Sequence, residues 1–467
     1  MLKIFYCLNN FSFWFIIRIA SMFDMKNEKI KDELIEEATI VLDQNSKNGM
    51  TMPSRILYPH QWFWDSCFIA IGLRHIDTER AKTELVNLVK GQWRNGMIPN
   101  IVFADNSKGK QISNIWRSQV SPFSPDDVVT SGITQPPMLA EAVFKVGEKL
   151  DKAERKIWFN MMYEHIANYH QWLYSDRDPH SEGLVLLLHP YESGMDNSPP
   201  WMDELHKNFT PSWIHSMQKI HLDKLYGFFR VDTKFVNKSE RMSNTDALSL
   251  YSLQKRMRSK QYDTSKILGH NSFAIEDLAF NSILIRANTY LEKIASEIKK
   301  ELPKNLKTSI KKSQSALENL WDEENAEYFS RRFETHKLIK VPSISSLLPL
   351  YSGTISEERA KHLVKTLESH DKFSVPFPIP TVPVSSEWFS PMNYWQGPTW
   401  INMNWLIIQG LKNYGFEDHA NILIKKTLEL VEAGGFSEYF DPIDGRPLGI
   451  DNFSWTAALT IDLLSSN

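Results

Sequence analysis

"MNYWQGPTWINMNWL", residues 392–406, joins two textures in one stretch. Tyr394, Trp395, Gln396 and Trp400 crowd around Gly397-Pro398, and from Pro398 onward the spacing predicts a helix to residue 414. A proline suits the first turn of a helix, because the N–H it lacks would have no partner there anyway. The piece therefore reads as an aromatic loop that feeds a helix.

Working outward, the same alternation fills the chain. Helices are predicted over 77–92, 138–150, 154–174, 211–229, 244–259, 274–299, 304–320, 356–368, 398–414, 417–432 and 454–465, many of them opening on Asp, Ser or Thr as caps. Before them, "MKNEKIKDELIEEATIVLDQN" (25–45) sets Ile30, Leu34, Ile35, Ala38 and Val41 on one stripe. The intervening loops 51–64, 93–136, 176–204, 370–397 and 434–453 hold unusual numbers of Trp, Pro, Gly, Asn and Asp. Alternating strand patterns are scarce, and "EGLVLLLHP" (182–190) is the best of them. The class is all-α, with long loops that carry the uncommon residues, and no low-complexity linker divides the chain.

Composition narrows the function. The 467 residues are 42% hydrophobic and 23% charged, as in ordinary globular proteins, but 12% are aromatic and 15 are Trp. Tryptophan in such numbers fills a core or lines a carbohydrate cleft, where sugar C–H faces meet aromatic rings. A net charge of −3 argues against nucleic acid and anionic membrane as partners. Two cysteines, Cys7 and Cys67, cannot build a disulfide framework or a zinc-thiolate site, which favours the cytoplasm. His60, His75, His165, His170, His180 and His189 lack a metal-ligand spacing. The first residues, "MLKIFYCLNNFSFWFIIRIASMF", resemble a signal or anchor, but Asn9, Asn10 and Arg18 interrupt the apolar runs. The other reading places the start at Met22 or Met25 and makes 1–25 an extension.

Several loop constellations carry chemistry. "YPHQWFWDSCF" (58–68) packs Tyr58, His60, Gln61, Trp62, Trp64 and Asp65 together. Asp65 is either the N-cap of a helix through "SCFIAIGLRHI" or a carboxylate that accepts sugar hydroxyls beside aromatic platforms. "GITQPPMLAEAVF" (132–144) places Gln135 just before a helix. Together with Trp395 and Trp400, these corners suggest one lined pocket. Two acids stand apart in glycine-flanked loops: Asp196 in "YESGMDNSPPW" and Glu438 in "GGFSEYFDPIDGRPLG". Each could be a turn-capping residue, yet glycosidic hydrolysis requires two such carboxyl groups, one protonated and one ionised. Dinucleotide, P-loop, zincin and nucleophile-elbow motifs are missing.

"PHQWFWDS", "GQWRNGMIPNIVF", "GITQPPMLAEA", "YESGMDNSPPW", "FAIEDLAFNSILIRAN", "YWQGPTWINMNWL" and "GGFSEYFDPIDGRPLGIDNFSWTAAL" resemble, in order, the motifs of glycoside hydrolase family 63, nearest to its bacterial mannosylglycerate and glucosylglycerate hydrolases. The similarity runs from about residue 28 to the C-terminus. It implies an (α/α)6 barrel, a toroid of paired helices formed by one catalytic domain over 26–467, and an inverting hydrolase of α-linked sugars. It further implies Asp196 as general acid and Glu438 as general base. Tyr58, Trp64, Asp65, Gln135, Tyr394, Trp395 and Trp400 become sugar-holding positions, Gln396 a substrate-binding position next to the sugar, and Arg230 in "FFRVD" the arginine that meets a substrate carboxylate. The expected partner is a small carbohydrate, with no cofactor and no metal. Two departures bear on the aglycone: the chain reads "NKSERMSNTDALSLY" (237–251) where the family runs through an Arg-Pro-Thr-Asp-like turn, and Gln396 stands where many relatives have arginine. Two other readings stay open. One is an α-glucosidase or trehalase-like hydrolase of neutral gluco-oligosaccharides. The other is a catalytically silent sugar-binding protein, against which the pair Asp196 and Glu438 argues.

Overall fold

In the computed structural model, residues 30–104, 113–214, 230, 232–269 and 272–466 are described. The N-terminal extension with Cys7, and most of the helix predicted over 211–229, lie outside the described residues.

Among these residues twelve helices build a closed ring: α1 (30–44), α2 (Phe63–Leu73), α3 (Thr78–Val89), α4 (Leu139–Gly147), α5 (Lys152–Asp176), α6 (Leu278–Glu297), α7 (Lys304–Ala316), α8 (Pro349–Ser352), α9 (Glu357–Leu367), α10 (Ile401–Asn413), α11 (Glu417–Gly434) and α12 (Ser454–Ser465). The even-numbered helices form the inner wall. Each packs on the next, α2 on α4 and so on to α12, which packs back on α2. The odd-numbered helices lie outside, and the result is an (α/α)6 barrel.

Sequence chemistry sorts the two rings. Every residue of α2 is buried, and α12 is buried from Ser454 to Leu463, so neither has a polar face to show water. The outer α3 buries Ala81, Glu84, Leu85, Leu88 and Val89 on a single stripe, and α9 buries Ala360, Leu363, Val364 and Thr366. Closure of the ring depends on close approach. A Cβ on Gly72 of α2 would stand 2.2 Å from the Ala458 carbonyl oxygen of α12, so only glycine lets the two backbones meet. Side-chain caps fix several starts: Asp77, Asp151, Asp277 and Ser356 accept backbone N–H groups at the heads of α3, α5, α6 and α9.

Three expectations shift at their edges. The helix predicted from Pro398 begins at Ile401, because Thr399 exchanges both backbone hydrogen bonds with Phe440, at 2.8 and 2.9 Å, and is held extended. The helix predicted from 274 begins at Leu278, because Ile275–Glu276 is a strand. The strand expected over 182–190 shortens to Leu186–Leu187, which pairs with Ile275–Glu276, itself paired with Arg331–Arg332. Among the described residues no helix is long and apolar enough to cross a membrane.

One end of the ring gathers the long loops. Residues just before or within the first turn of α2, α4, α10 and α12 lie there, as do Gly194 and Asp196 from the connection between α5 and α6. A second apolar cluster, built around Ile101, Phe103, Trp116, Ile133, Leu186 and Leu188, stiffens this loop layer.

Candidate active site

The loops converge on a cavity of about 50 Å³ lined by Tyr58, Trp64, Asp65, Gln135, Asp196, Tyr394, Trp395, Trp400 and Glu438, together with Pro53, Trp62, Gly194, Phe453 and Trp455. Both acids singled out in the sequence thus face one space, with seven of the nine expected substrate-binding residues around them.

Aromatic rings make the floor and walls. Trp395 and Trp400 stack face to face, 3.8 Å between centroids and 4° between planes, and Trp455 stands edge-on to Trp400 at 5.6 Å. Trp64 lies 6.2 Å from Trp395. Gly194 takes a positive φ of 73° against the Trp64 indole, where a Cβ would come within 2.6 Å. Tyr394 also has a positive φ, 46°, which is strained for a bulky residue and costs on the order of 1–3 kcal/mol. In this conformation its hydroxyl stands beside Asp196 Oδ2, at 3.4 Å. The indole N–H groups of Trp62, Trp395 and Trp455 are buried without a hydrogen-bond partner, so three lining residues keep a donor in reserve.

The two acids sit in different electrostatic settings. Burial lifts the Asp196 carboxyl from 3.8 to about 7. The Tyr394 hydrogen bond and the Arg241 charge oppose that rise, and the Glu438 charge adds to it. Glu438 is gripped by a guanidinium fork: Arg241 Nη2 reaches Oε2 at 2.5 Å and Nη1 reaches Oε1 at 3.2 Å. The Tyr58 hydroxyl donates to Oε1 at 2.9 Å and accepts from Arg241 at 2.8 Å, and the Ile450 N–H donates to Oε2 at 3.2 Å. One carboxyl is therefore set up to hold a proton near neutrality, while the other is ion-paired.

Asp65 is not the helix cap. α2 starts two residues earlier, with Trp62 at the N-cap, and Asp65 lies within its first turn. Burial pushes its carboxyl well above the ordinary range, helped by Glu438, Asp196 and Glu84. Gln135 accepts from the Trp64 N–H at 3.4 Å, tying the loop before α4 to the head of α2.

Gln396 and Arg230 are not among the lining residues. Gln396 donates to the Asn197 carbonyl at 2.8 Å and so braces the residue after Asp196. Arg230 is buried, and its guanidinium binds Asp232 at 2.5 and 3.1 Å, the Met242 carbonyl at 2.6 Å and Asn244 at 3.2 Å. Arg241 is the residue that sequence reasoning missed. It lies in the divergent stretch 237–251, and its partners Tyr58 and Glu438 are 183 and 197 residues away. His180, Glu182 and His336 could together hold a metal ion, but they are exposed, none lines the cavity, and Arg331 occupies Glu182 at 2.9 Å.

Comparison with known proteins gives concordant matches. The model of the mannosylglycerate hydrolase MGH1-like glycoside hydrolase domain matches residues 58–456. Mannosylglycerate hydrolase of Thermus thermophilus is 37% identical over 428 residues, covering 91% of this chain and 99% of the relative. Glucosylglycerate hydrolase of Mycolicibacterium hassiacum is 31% identical, covering 92% and 98%. The crystal structure of the family 63 mannosylglycerate hydrolase from Thermus thermophilus in complex with Tris and D-glycerate superposes with a TM-score of 0.83 at 36% identity, covering 93% of this chain and 100% of that one.

Proposed function

The chain belongs to the mannosylglycerate hydrolase MGH1-like family of glycoside hydrolases and is a glycosidase, and from that premise we propose that it hydrolyses 2-O-α-mannosyl- or 2-O-α-glucosyl-glycerate with inversion. The observation that carries the mechanism is the division of labour between Asp196 and Glu438. They line one cavity, where burial raises the Asp196 carboxyl to about 7 and the Arg241 guanidinium pairs with Glu438. Asp196 donates its proton to the glycosidic oxygen as the bond to the anomeric carbon breaks. Glu438 takes a proton from a water that attacks the same carbon from the opposite face. The free hexose and glycerate result, Glu438 gives its proton up to solvent, and Asp196 recovers one from solvent.

Arg241 and Tyr58 aim the base, since the fork and the phenol fix both carboxylate oxygens. The stacked tryptophans meet the sugar's C–H face, while Asp65, Gln135 and the unpaired indole N–H groups suit its hydroxyls. Arg230 is assigned to the aglycone carboxylate. Its fork already holds a carboxylate, Asp232, whose side chain is 30% exposed and open to exchange with an incoming anion. The names of the relatives support both hexoses. The unit that performs this chemistry is proposed to be the single domain 26–467, acting on a small carbohydrate in the cytoplasm.

The test is hydrolysis of mannosylglycerate, glucosylglycerate, trehalose and kojibiose in parallel, followed by the release of free hexose. Turnover of a glycerate conjugate is expected. Arg230→Ala should raise KM for that substrate by about tenfold or more, the worth of a charged hydrogen-bonded pair, and leave a neutral glycoside unaffected. Activity confined to trehalose or kojibiose would contradict the assignment.

A further inference from the structure

Glu84 is buried on the inward stripe of the outer helix α3 and lines no part of the cavity. Its Oε1 accepts from Gln61 Nε2 at 2.8 Å and from Ser66 Oγ at 2.5 Å, and its Oε2 accepts from the Thr51 N–H at 2.7 Å. The Glu84 backbone carbonyl accepts from the same Gln61 amide at 2.9 Å. Three separate pieces of chain thus hang on one carboxylate: the strand Met50–Thr51, the strand Gln61–Trp62 and the first turn of α2. Between the two side chains it grips, Gln61 and Ser66, stand Trp62, Trp64 and Asp65, all of which line the cavity.

From this bridging geometry we propose that Glu84 is a positioning residue for glycoside cleavage, which sets the register of the Trp62–Asp65 wall from the outer ring through Gln61, Ser66 and Thr51; the inference rests on the glycosidase reading above. A carboxylate suits the place, because the Thr51 N–H and the Gln61 amide can only donate and the Ser66 hydroxyl is set to donate. Glutamine would turn an amide N–H₂ against either the Thr51 N–H or the Gln61 amide N–H₂. Stability alone is a poor reason for the acid, since a buried carboxylate is expensive where a packed apolar side chain is not. Burial in fact lifts its carboxyl from 4.5 to about 7 despite the three donors. Its charge also reaches Asp65, whose carboxyl it helps to raise, so the wall responds to Glu84 in electrostatics as well as in position.

The experiment measures kcat, KM and the thermal midpoint of Glu84→Gln on whichever glycerate conjugate the wild type turns over. A wild type inactive on glycosides would remove the underlying reading instead. Expected is a fall in kcat per folded molecule of about tenfold to a hundredfold, the effect of a misplacement of ~1 Å, with KM within about twofold, whichever way the midpoint moves. A destabilised protein with unchanged kcat per folded molecule would overturn the proposal and leave Glu84 a packing residue. Should Glu84→Gln fail to fold, Ser66→Ala removes a single donor. A drop of several-fold in kcat then supports the inference, and an unchanged kcat refutes it.

Discussion

Replacing Asp196 by asparagine keeps the shape of the side chain and removes its proton site, which makes stability and activity move in opposite directions. Each unit of pKa is worth about 1.36 kcal/mol, so holding a carboxyl at about 7 instead of 3.8 amounts to about 4 kcal/mol between the two protonation states. Asp196 keeps part of its surface in the cavity, so this is an upper figure. The sign follows from linkage. Below pH 4 the acid is protonated in the folded and unfolded chains alike. Between pH 4 and 7 the native state retains a proton that the unfolded state has released, and wild-type stability falls with rising pH by up to about 1.36 kcal/mol per unit. Above 7 the loss levels off. Asparagine is neutral throughout, so the variant should gain about 2–3 kcal/mol over the wild type between pH 5 and 7.5, read from urea denaturation at each pH. Its kcat should meanwhile fall by about 10²–10⁴, as expected when a general acid is lost. A stability difference that does not change with pH, or one that shrinks as pH rises, would refute the environment deduced for Asp196.

Further outcomes follow from the same geometry. Arg241→Ala should lower stability by about 3–5 kcal/mol in urea denaturation and reduce kcat as well, because it leaves Glu438, 1% exposed, as a buried carboxylate without its cation. The pH profile of kcat/KM should have an alkaline limb near pH 7, since activity needs Asp196 protonated and is lost as pH rises through about 7. An α-glycosyl fluoride, whose leaving group needs no proton, should lack that limb, and persistence of the limb would point to another residue. Gly72→Ala should cost about 1–3 kcal/mol or prevent folding, because its methyl would sit 2.2 Å from the Ala458 carbonyl oxygen; unaltered stability would show that α2 and α12 can separate.

The outer ring was legible because its helices meet water on one face. Caps such as Asp77 and Asp151 and the apolar stripes of α3 and α9 are written locally. The inner position filled by α8 was not read as a helix: "ISSLLPLYS" (344–352) is buried on all sides, so it has no polar phase to reveal a period, and Pro349 interrupts it. The start of α10 was misplaced for a long-range reason, the pairing of Thr399 with Phe440. The site was legible where composition and motif coincide, in the tryptophans and the isolated acids. Arg241 was not, because an arginine in "SERMSN" acquires meaning only when the ring brings it to Tyr58 and Glu438. Arg230 was distinguishable only by resemblance, since nothing local separates it from a surface arginine at a helix end.

The most direct test of the central claim is a proton NMR time course of the anomeric signals as the purified protein acts on mannosylglycerate and glucosylglycerate. Two carboxyl groups acting across a water predict that the β-hexose is released first and the α-anomer grows in only by mutarotation. Release of the α-anomer first would contradict the roles given to Asp196 and Glu438, and no release from either conjugate would contradict the substrate.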